Sequence, residues 1–186
     1  MADLTLPILD LSQLDAGAMV MQARSVDLGG LAREVTKEFG ARAELRGSRL
    51  ELRTPEQSVI ARGDPDRVRQ IIRILLDNAL THTPEGTKVT VTTYSANRRA
   101  ELTVSDDGSG IPQRVQKRIF ERFYTADQSG SSGLGLAIAS ELAQRMKGQI
   151  TISSSRRFTA FTLDLPPGVV AAPAARSTRA PVRAGT

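Results

Sequence analysis

A side-chain amide at Asn78, a carboxylate at Asp106 and five glycines, Gly108, Gly110, Gly130, Gly133 and Gly135, are the residues whose types and order could do chemistry here. Asp106 is followed closely by two glycines, so a ligand ring can approach the backbone while the carboxylate accepts a hydrogen bond from an exocyclic amine. Adenine carries such an amine; guanine presents a carbonyl oxygen instead. Gly130, Gly133 and Gly135 precede a helical pattern whose first N–H groups could bind phosphate. The amide oxygen of Asn78 is a hard donor suited to a Mg²⁺ ion that also holds ATP phosphates. Each feature alone is weak. An acidic turn with glycines is usually only a turn, a Gly-Ser loop usually only a linker, and a mid-helix Asn usually a solvated one. In this order they read as one ATP site. The pattern is neither a Rossmann fingerprint nor a Walker loop, since the Lys-Ser/Thr ending and the strand–glycine–helix start are missing.

The elements that must position these residues follow from periodicity. Asp64-Pro65 is a strong helix start, and Val68, Ile71, Ile72, Leu75, Leu76, Ala79 and Leu80 form a broad apolar face behind it. At about 100° per residue, Ile74, Asn78 and Thr81 share a flank of that helix along which a ligand could lie. Residues 88–95 and 100–105 read as two strands around a turn, the second running into Asp106. Residues 134–146 read as a helix, and 149–154 with 158–165 as a last strand pair. Upstream, Asp27 is expected to cap a helix with Leu28, Leu31, Val35 and Phe39 on one stripe, ended by Gly40. Residues 49–53 and 58–62 alternate as strands joined by a turn. Val115, Ile119, Phe120 and Phe123 sit on a short helical pattern, and the small, polar loop 124–132 is a candidate lid.

Composition sets the outer limits. A chain of 186 residues, 40% hydrophobic and 24% charged, can bury a core of its own. Its charge is +5, of which three come from Arg176, Arg179 and Arg183 in the tail, leaving +2 for the rest. With aromatics at only 4% and the cations scattered, there is no nucleic-acid-binding pattern. There is no cysteine, hence no disulfide or thiolate metal site, and no apolar run of the roughly 18 residues that span a bilayer. Leu4, Ile8 and Leu11 repeat at helical spacing up to Gly17, and the tail is rich in Pro, Ala, Gly and Arg without periodicity, as expected of a disordered segment.

Four segments carry a family resemblance. Leu75 to Pro84 around Asp77-Asn78-Ala79, Asp106-Asp107-Gly108-Ser109-Gly110-Ile111-Pro112, Ile119-Phe120-Glu121-Arg122-Phe123-Tyr124, and Gly133-Leu134-Gly135-Leu136 resemble, in order, the N, G1, F and G2 boxes of bacterial sensor histidine kinases. The resemblance implies a two-layer α/β sandwich, a mixed sheet with helices packed on one face, and ATP held between the N-box helix and a mobile lid. It implies that Asp106 reads adenine with Thr159 assisting through water, that Ile111 lines the base pocket beside Gly108 and Gly110, and that Asn78 holds Mg²⁺. His82 would stack beside the base, and Gly133, Leu134, Gly135 and Leu136 would let the lid hinge over the phosphates. By the same resemblance, residues 1–20 would be a remnant of the second dimerisation helix, 21–167 the catalytic domain and 168–186 a loose tail. The expected activity is a cytoplasmic protein-histidine kinase in a two-component phosphorelay. Its γ-phosphoryl would pass to a histidine on a separate or removed dimerisation domain and then to a response regulator, with neither nucleic acid nor membrane contacted by this segment.

This chain departs from the family pattern in places. Ile74 stands where a second asparagine usually opens the N box, Thr81 where Lys or Arg is common, and the loop 125–132 is short and has neither Lys nor Arg. His82 is the only histidine and lies inside the nucleotide motif, so the acceptor histidine is not in this chain. Two alternatives stand beside the kinase: a module that senses ATP without transferring phosphate, and a serine kinase of the anti-sigma-factor type, against which the segment 11–17 argues.

Overall fold

The computed structural model describes residues 20–125 and 132–169. Its elements are β1 (Arg24–Asp27), α1 (Leu28–Leu45), β2 (Arg49–Arg53), β3 (Ile60–Gly63), α2 (Pro65–Thr81), β4 (Lys88–Ala96), β5 (Arg99–Asp106), a short α3 (Gln113–Gln116) with a 3-10 turn at Arg118–Phe120, α4 (Gly135–Arg145), β6 (Gln149–Ser155) and β7 (Phe158–Leu165). Five strands form one mixed sheet in the order β2-β4-β5-β7-β6, with β2 parallel to β4 and the remaining pairs antiparallel. Helices α1, α2 and α4 cover one face.

The core lies between that face and the helices, and α2 is its centre. Asp64 caps α2 through Asp66 N and Arg67 N, Pro65 opens it, and Val68, Ile71, Ile72, Leu75, Leu76, Ala79 and Leu80 are buried. Across from them, alternate residues of the sheet point inward: Val89, Val91, Leu102, Val104, Phe161 and Leu163. Each large apolar side chain so buried contributes about 1.5–3 kcal/mol. That holds the carboxyl end of β5 and the last turns of α2 in fixed relation.

Several expectations change. Gly40 does not end α1, which runs on to Leu45; a Cβ at Gly40 would meet nothing within 4 Å, so it is an open-face glycine that costs about 1 kcal/mol of helix propensity. The stop comes at Gly47, in left-handed backbone at φ 61°, where Gly47 N donates to Glu44 O and Ser48 N to Ala43 O. The strands at 49–53 and 60–63 are not a hairpin. β2 pairs with β4, while β3 pairs with β1 as a separate antiparallel ribbon. The aromatic segment is broken: α3 spans four residues, and Phe123 sits at φ 63° and is 70% exposed. Beyond β7 the chain stays attached: Pro166 O accepts from Arg62 N, Gly168 N donates to Ile60 O and Val169 N to Ser25 Oγ. The Leu4/Ile8/Leu11 stripe, most of the candidate lid and the rest of the tail lie outside the described residues.

Candidate functional site

The site forms where β5, β7 and the end of α2 meet. Asp106 closes β5 opposite Thr159 of β7 in register, and both are buried, at 7% and 4% exposure. Gly108 N donates to Asp106 Oδ1 at 3.0 Å, a bond that favours the carboxylate. Burial outweighs it, and with the Asp107 charge nearby the Asp106 carboxyl is pushed up to about 6. The carboxylate is therefore ionised at neutral pH and short of hydrogen-bond donors.

The glycines are required by shape. A Cβ on Gly108 would lie 2.7 Å from Thr83 Cγ2, and one on Gly110, itself at φ 73°, would lie 1.8 Å from Ser155 O. The G1 segment is thus pressed against α2's exit on one side and the β6–β7 turn on the other. Ser154 fastens the second contact: its Oγ accepts from Ile111 N at 2.7 Å, donates to Phe158 O at 2.8 Å and lies 3.2 Å from Thr159 Oγ1. Gln116 Nε2 donates to Ile111 O at 2.7 Å.

Asn78, His82, Thr83, Asp106, Ser109, Gly110, Ile111 and Thr159 line one small, open cavity. Six of these were singled out from sequence: Asn78, His82, Asp106, Gly110, Ile111 and Thr159. His82 is exposed and caps α2, its N–H bonded to Asn78 O at 3.0 Å. Thr83, Ser109 and Ser154 were not singled out; Thr83 and Ser109 sit inside recognisable motifs, whereas nothing local marks Ser154, whose contacts come from the β6–β7 pairing.

Gly133, Leu134, Gly135 and Leu136 do not line this cavity. Gly133, at φ 64°, accepts from Phe123 N at 3.0 Å and so closes the base of the loop between them. Leu134 is buried and packs in the core, and Leu136 is half-buried against it. A Cβ on Gly135 would meet Ile74 Cγ2 at 3.3 Å, one turn before Asn78. Leu134 at the N-cap of α4 supplies no side-chain cap, and its own N–H donates to Ser132 Oγ at 3.4 Å. The flank expected to carry Ile74, Asn78 and Thr81 together is split, because Ile74 packs against the core and Arg42 Nη2 holds Thr81 Oγ1 at 2.8 Å toward α1.

Residues 63–169 match the family model described as the histidine kinase-, DNA gyrase B- and HSP90-like ATPase. The chain belongs to that family. It is 37% identical over 164 residues to the protein named "Probable sensor histidine kinase TcrY" from Mycobacterium tuberculosis, covering 86% of this chain and 34% of the relative. It is 32% identical over 171 residues to the sensor histidine kinase CusS of Escherichia coli K12, covering 89% and 35%. The chain thus spans about a third of these relatives. Among solved structures, full-length ShkA in complex with AMPPNP superposes with a TM-score of 0.80 at 28% identity, over 89% of this chain and 35% of that one. The catalytic domain of the histidine kinase ThkA, at 24% identity and a TM-score of 0.73 over 80% and 97%, shares the fold. The mixed sheet with helices on one face is the ATPase-domain fold of the sensor histidine kinases.

Proposed function

We propose that this chain binds Mg-ATP and donates its γ-phosphoryl group to a histidine on a dimerisation domain outside these 186 residues, a response regulator acting downstream. The observation that carries the reading is Asp106, a buried carboxylate at the wall of a cavity that also holds Asn78. Ionised above about pH 6, it is placed to accept from the exocyclic amine of adenine, with the Thr159 hydroxyl assisting through water. Ile111 and His82 flank the ring. No cluster of three His, Cys, Asp or Glu side chains occurs among the described residues, so a Mg²⁺ ion would rest on Asn78 and on phosphate oxygens. That ion would neutralise phosphate charge and orient the phosphates. Toward them the chain would turn N–H groups at the start of α4, with Gly133 and Gly135 allowing the preceding loop to move as a lid. Phosphoryl transfer depends on positioning and charge stabilisation, so the site needs no proton-transfer dyad.

Ligand at ~100 times its dissociation constant is expected to stabilise the fold by about 2.7 kcal/mol, read as a rise in melting temperature with Mg-ATP. An unchanged melt at millimolar ATP overturns the site. Incubation with labelled Mg-ATP is expected to give no acid-labile phosphate on the chain alone and to label a supplied native dimerisation hairpin. His82 sits at the base end, away from in-line attack on the γ-phosphorus, which requires an approach of roughly 3–3.5 Å. Phosphohistidine mapped to His82 overturns this account.

One observation favours a second reading, an ATP-sensing module without transfer: Ile74 and Thr81 are committed to packing and to Arg42, so neither offers a polar group to phosphate. ATP binding without transfer to the native hairpin decides for it. No helix among the described residues is long and apolar enough to cross a membrane; a cytoplasmic location is part of this proposal.

A further inference from the structure

α1 and α2 run in the same direction and are joined by contacts repeating every turn. Glu34 accepts from Arg69 at 3.1 Å, and Glu38 takes two bonds from Arg73 at 2.8 Å. One turn on, the polarity reverses: Arg42 on α1 donates to Asp77 and to Thr81 on α2. At the top, Arg46 Nη2 donates to Thr83 O at 2.9 Å, and Arg46 O accepts from Gly86 N at 3.0 Å.

The reversal has a structural meaning. A slip of α1 by one turn toward the end of α2 would set Glu38 against Asp77, and a slip the other way would set Arg42 against Arg73. Each wrong register meets a like-charge pair, whereas the observed one meets none. Exposed pairs of this kind contribute little to stability one by one, but together with the buried apolar faces of the two helices they favour the observed alignment. That alignment brings Arg46 to the carbonyl of Thr83.

Thr83 is a wall of the nucleotide cavity and the side chain on which Gly108 rests. Its hydroxyl is held by Ala79 O at 2.6 Å and its carbonyl by Arg46. Asn78 and His82, the other cavity residues of this helix end, lie between the points gripped by Arg42 and Arg46. We propose that Arg42 and Arg46 are positioning residues for the nucleotide site, fixing the end of α2 against the G1 segment from α1 and its C-cap, neither of which lines the cavity. The inference rests on the nucleotide reading above.

The test is calorimetry on the 186-residue chain with Mg-ATP, ADP and adenosine, beside melting of the unliganded proteins. Arg46→Met keeps the aliphatic stem and removes the donor. It is expected to weaken all three ligands by the same factor, roughly 3- to 10-fold, because Thr83 bounds the cavity that holds the base they share. Arg46→Lys retains a cationic donor group and is expected to recover most of that loss, and Arg42→Ala to give a smaller loss, again equal for the three. Unchanged affinities in folded Arg46→Met, or a loss that Arg46→Lys leaves in place, overturn the inference. Should Arg46→Met fold poorly, the comparison rests on Arg42→Ala, where an equal loss for the three ligands supports the inference and unchanged affinities overturn it. If the unmutated chain binds none of the three ligands, the nucleotide reading itself fails and takes the inference with it.

Discussion

The cavity wall and the start of α4, the base and phosphate ends of the proposed site, are built differently. At the end held by β5 and β7, buried side chains, glycines with no room for a Cβ and the Ser154 network hold the backbone in place. At the end held by α4, a Cβ on Gly135 would meet one side chain, Ile74, no side chain of the N-cap residue Leu134 caps the helix, and Phe123 N bonds to Gly133 O across the base of the preceding loop. Adenine has a fixed outline and hydrogen-bonding edge, so a preorganised wall can select it. Phosphates that must be bound and then transferred are better met by backbone N–H groups on a segment that can move.

The largest expected effect tests the rigid end. Gly110→Ala puts a methyl group into Ser155 O at a backbone angle that suits glycine, and is expected to cost more than ~3 kcal/mol in urea denaturation, with nucleotide binding lost. Asp106→Asn comes next. It can turn a donor toward the adenine amine, and affinity for ATP is expected to fall by roughly 1.5–3 kcal/mol by calorimetry, while the preference over GTP disappears.

The same substitution has a pH signature in the unliganded protein. Asp106 has a folded value of about 6, above its ordinary 3.8, so the ionised form is disfavoured by folding. The resulting penalty is absent below 3.8, grows as pH rises toward 6 and is complete above it. Asp106→Asn is therefore expected to stabilise the unliganded fold at pH 7.5 by about 1–2 kcal/mol, allowing for solvent at the cavity mouth, and not at pH 3.5. Loss of binding with gain of stability would mark a group held for ligand rather than for the fold. Equal melting of the two proteins at pH 7.5 would remove that distinction.

Ser154→Ala leaves Ile111 N without its acceptor and is expected to cost about 1–2 kcal/mol of stability, with weaker binding of adenosine and ATP alike. The smallest effect belongs to the other end. Gly135→Ala asks only Ile74 to yield by a few tenths of an ångström and should change stability by less than about 1 kcal/mol. A Gly135→Ala variant as damaged as Gly110→Ala would erase the contrast between the ends.

Much of this was legible because it is local. The capped, apolar-striped α2, the strand leading into Asp106 and the glycines after it are all written in neighbours a few residues apart. β1 escaped because four residues, Arg24–Asp27, bury only Val26 and show no period. The false stop at Gly40 arose because a glycine on an open helix face looks in sequence like a terminating one; the distinction lies in the left-handed backbone of Gly47 and the bonds that follow it.

By itself the sequence determined most of the longer elements, α1, α2, α4 and the strands of the sheet, and marked candidate nucleotide residues, since helix caps, apolar periods and glycine turns are set by short-range sterics and hydrogen bonding. Only the tertiary structure decided that β2 joins β4 while β3 joins β1, that Thr81 turns to Arg42 rather than toward Asn78, and that Ser154 ties Ile111 to the wall beside Thr159. Alternation marks a strand but not its partner, and a threonine's hydroxyl follows whichever donor packing brings near. Those choices depend on residues more than thirty positions away, which no local pattern contains.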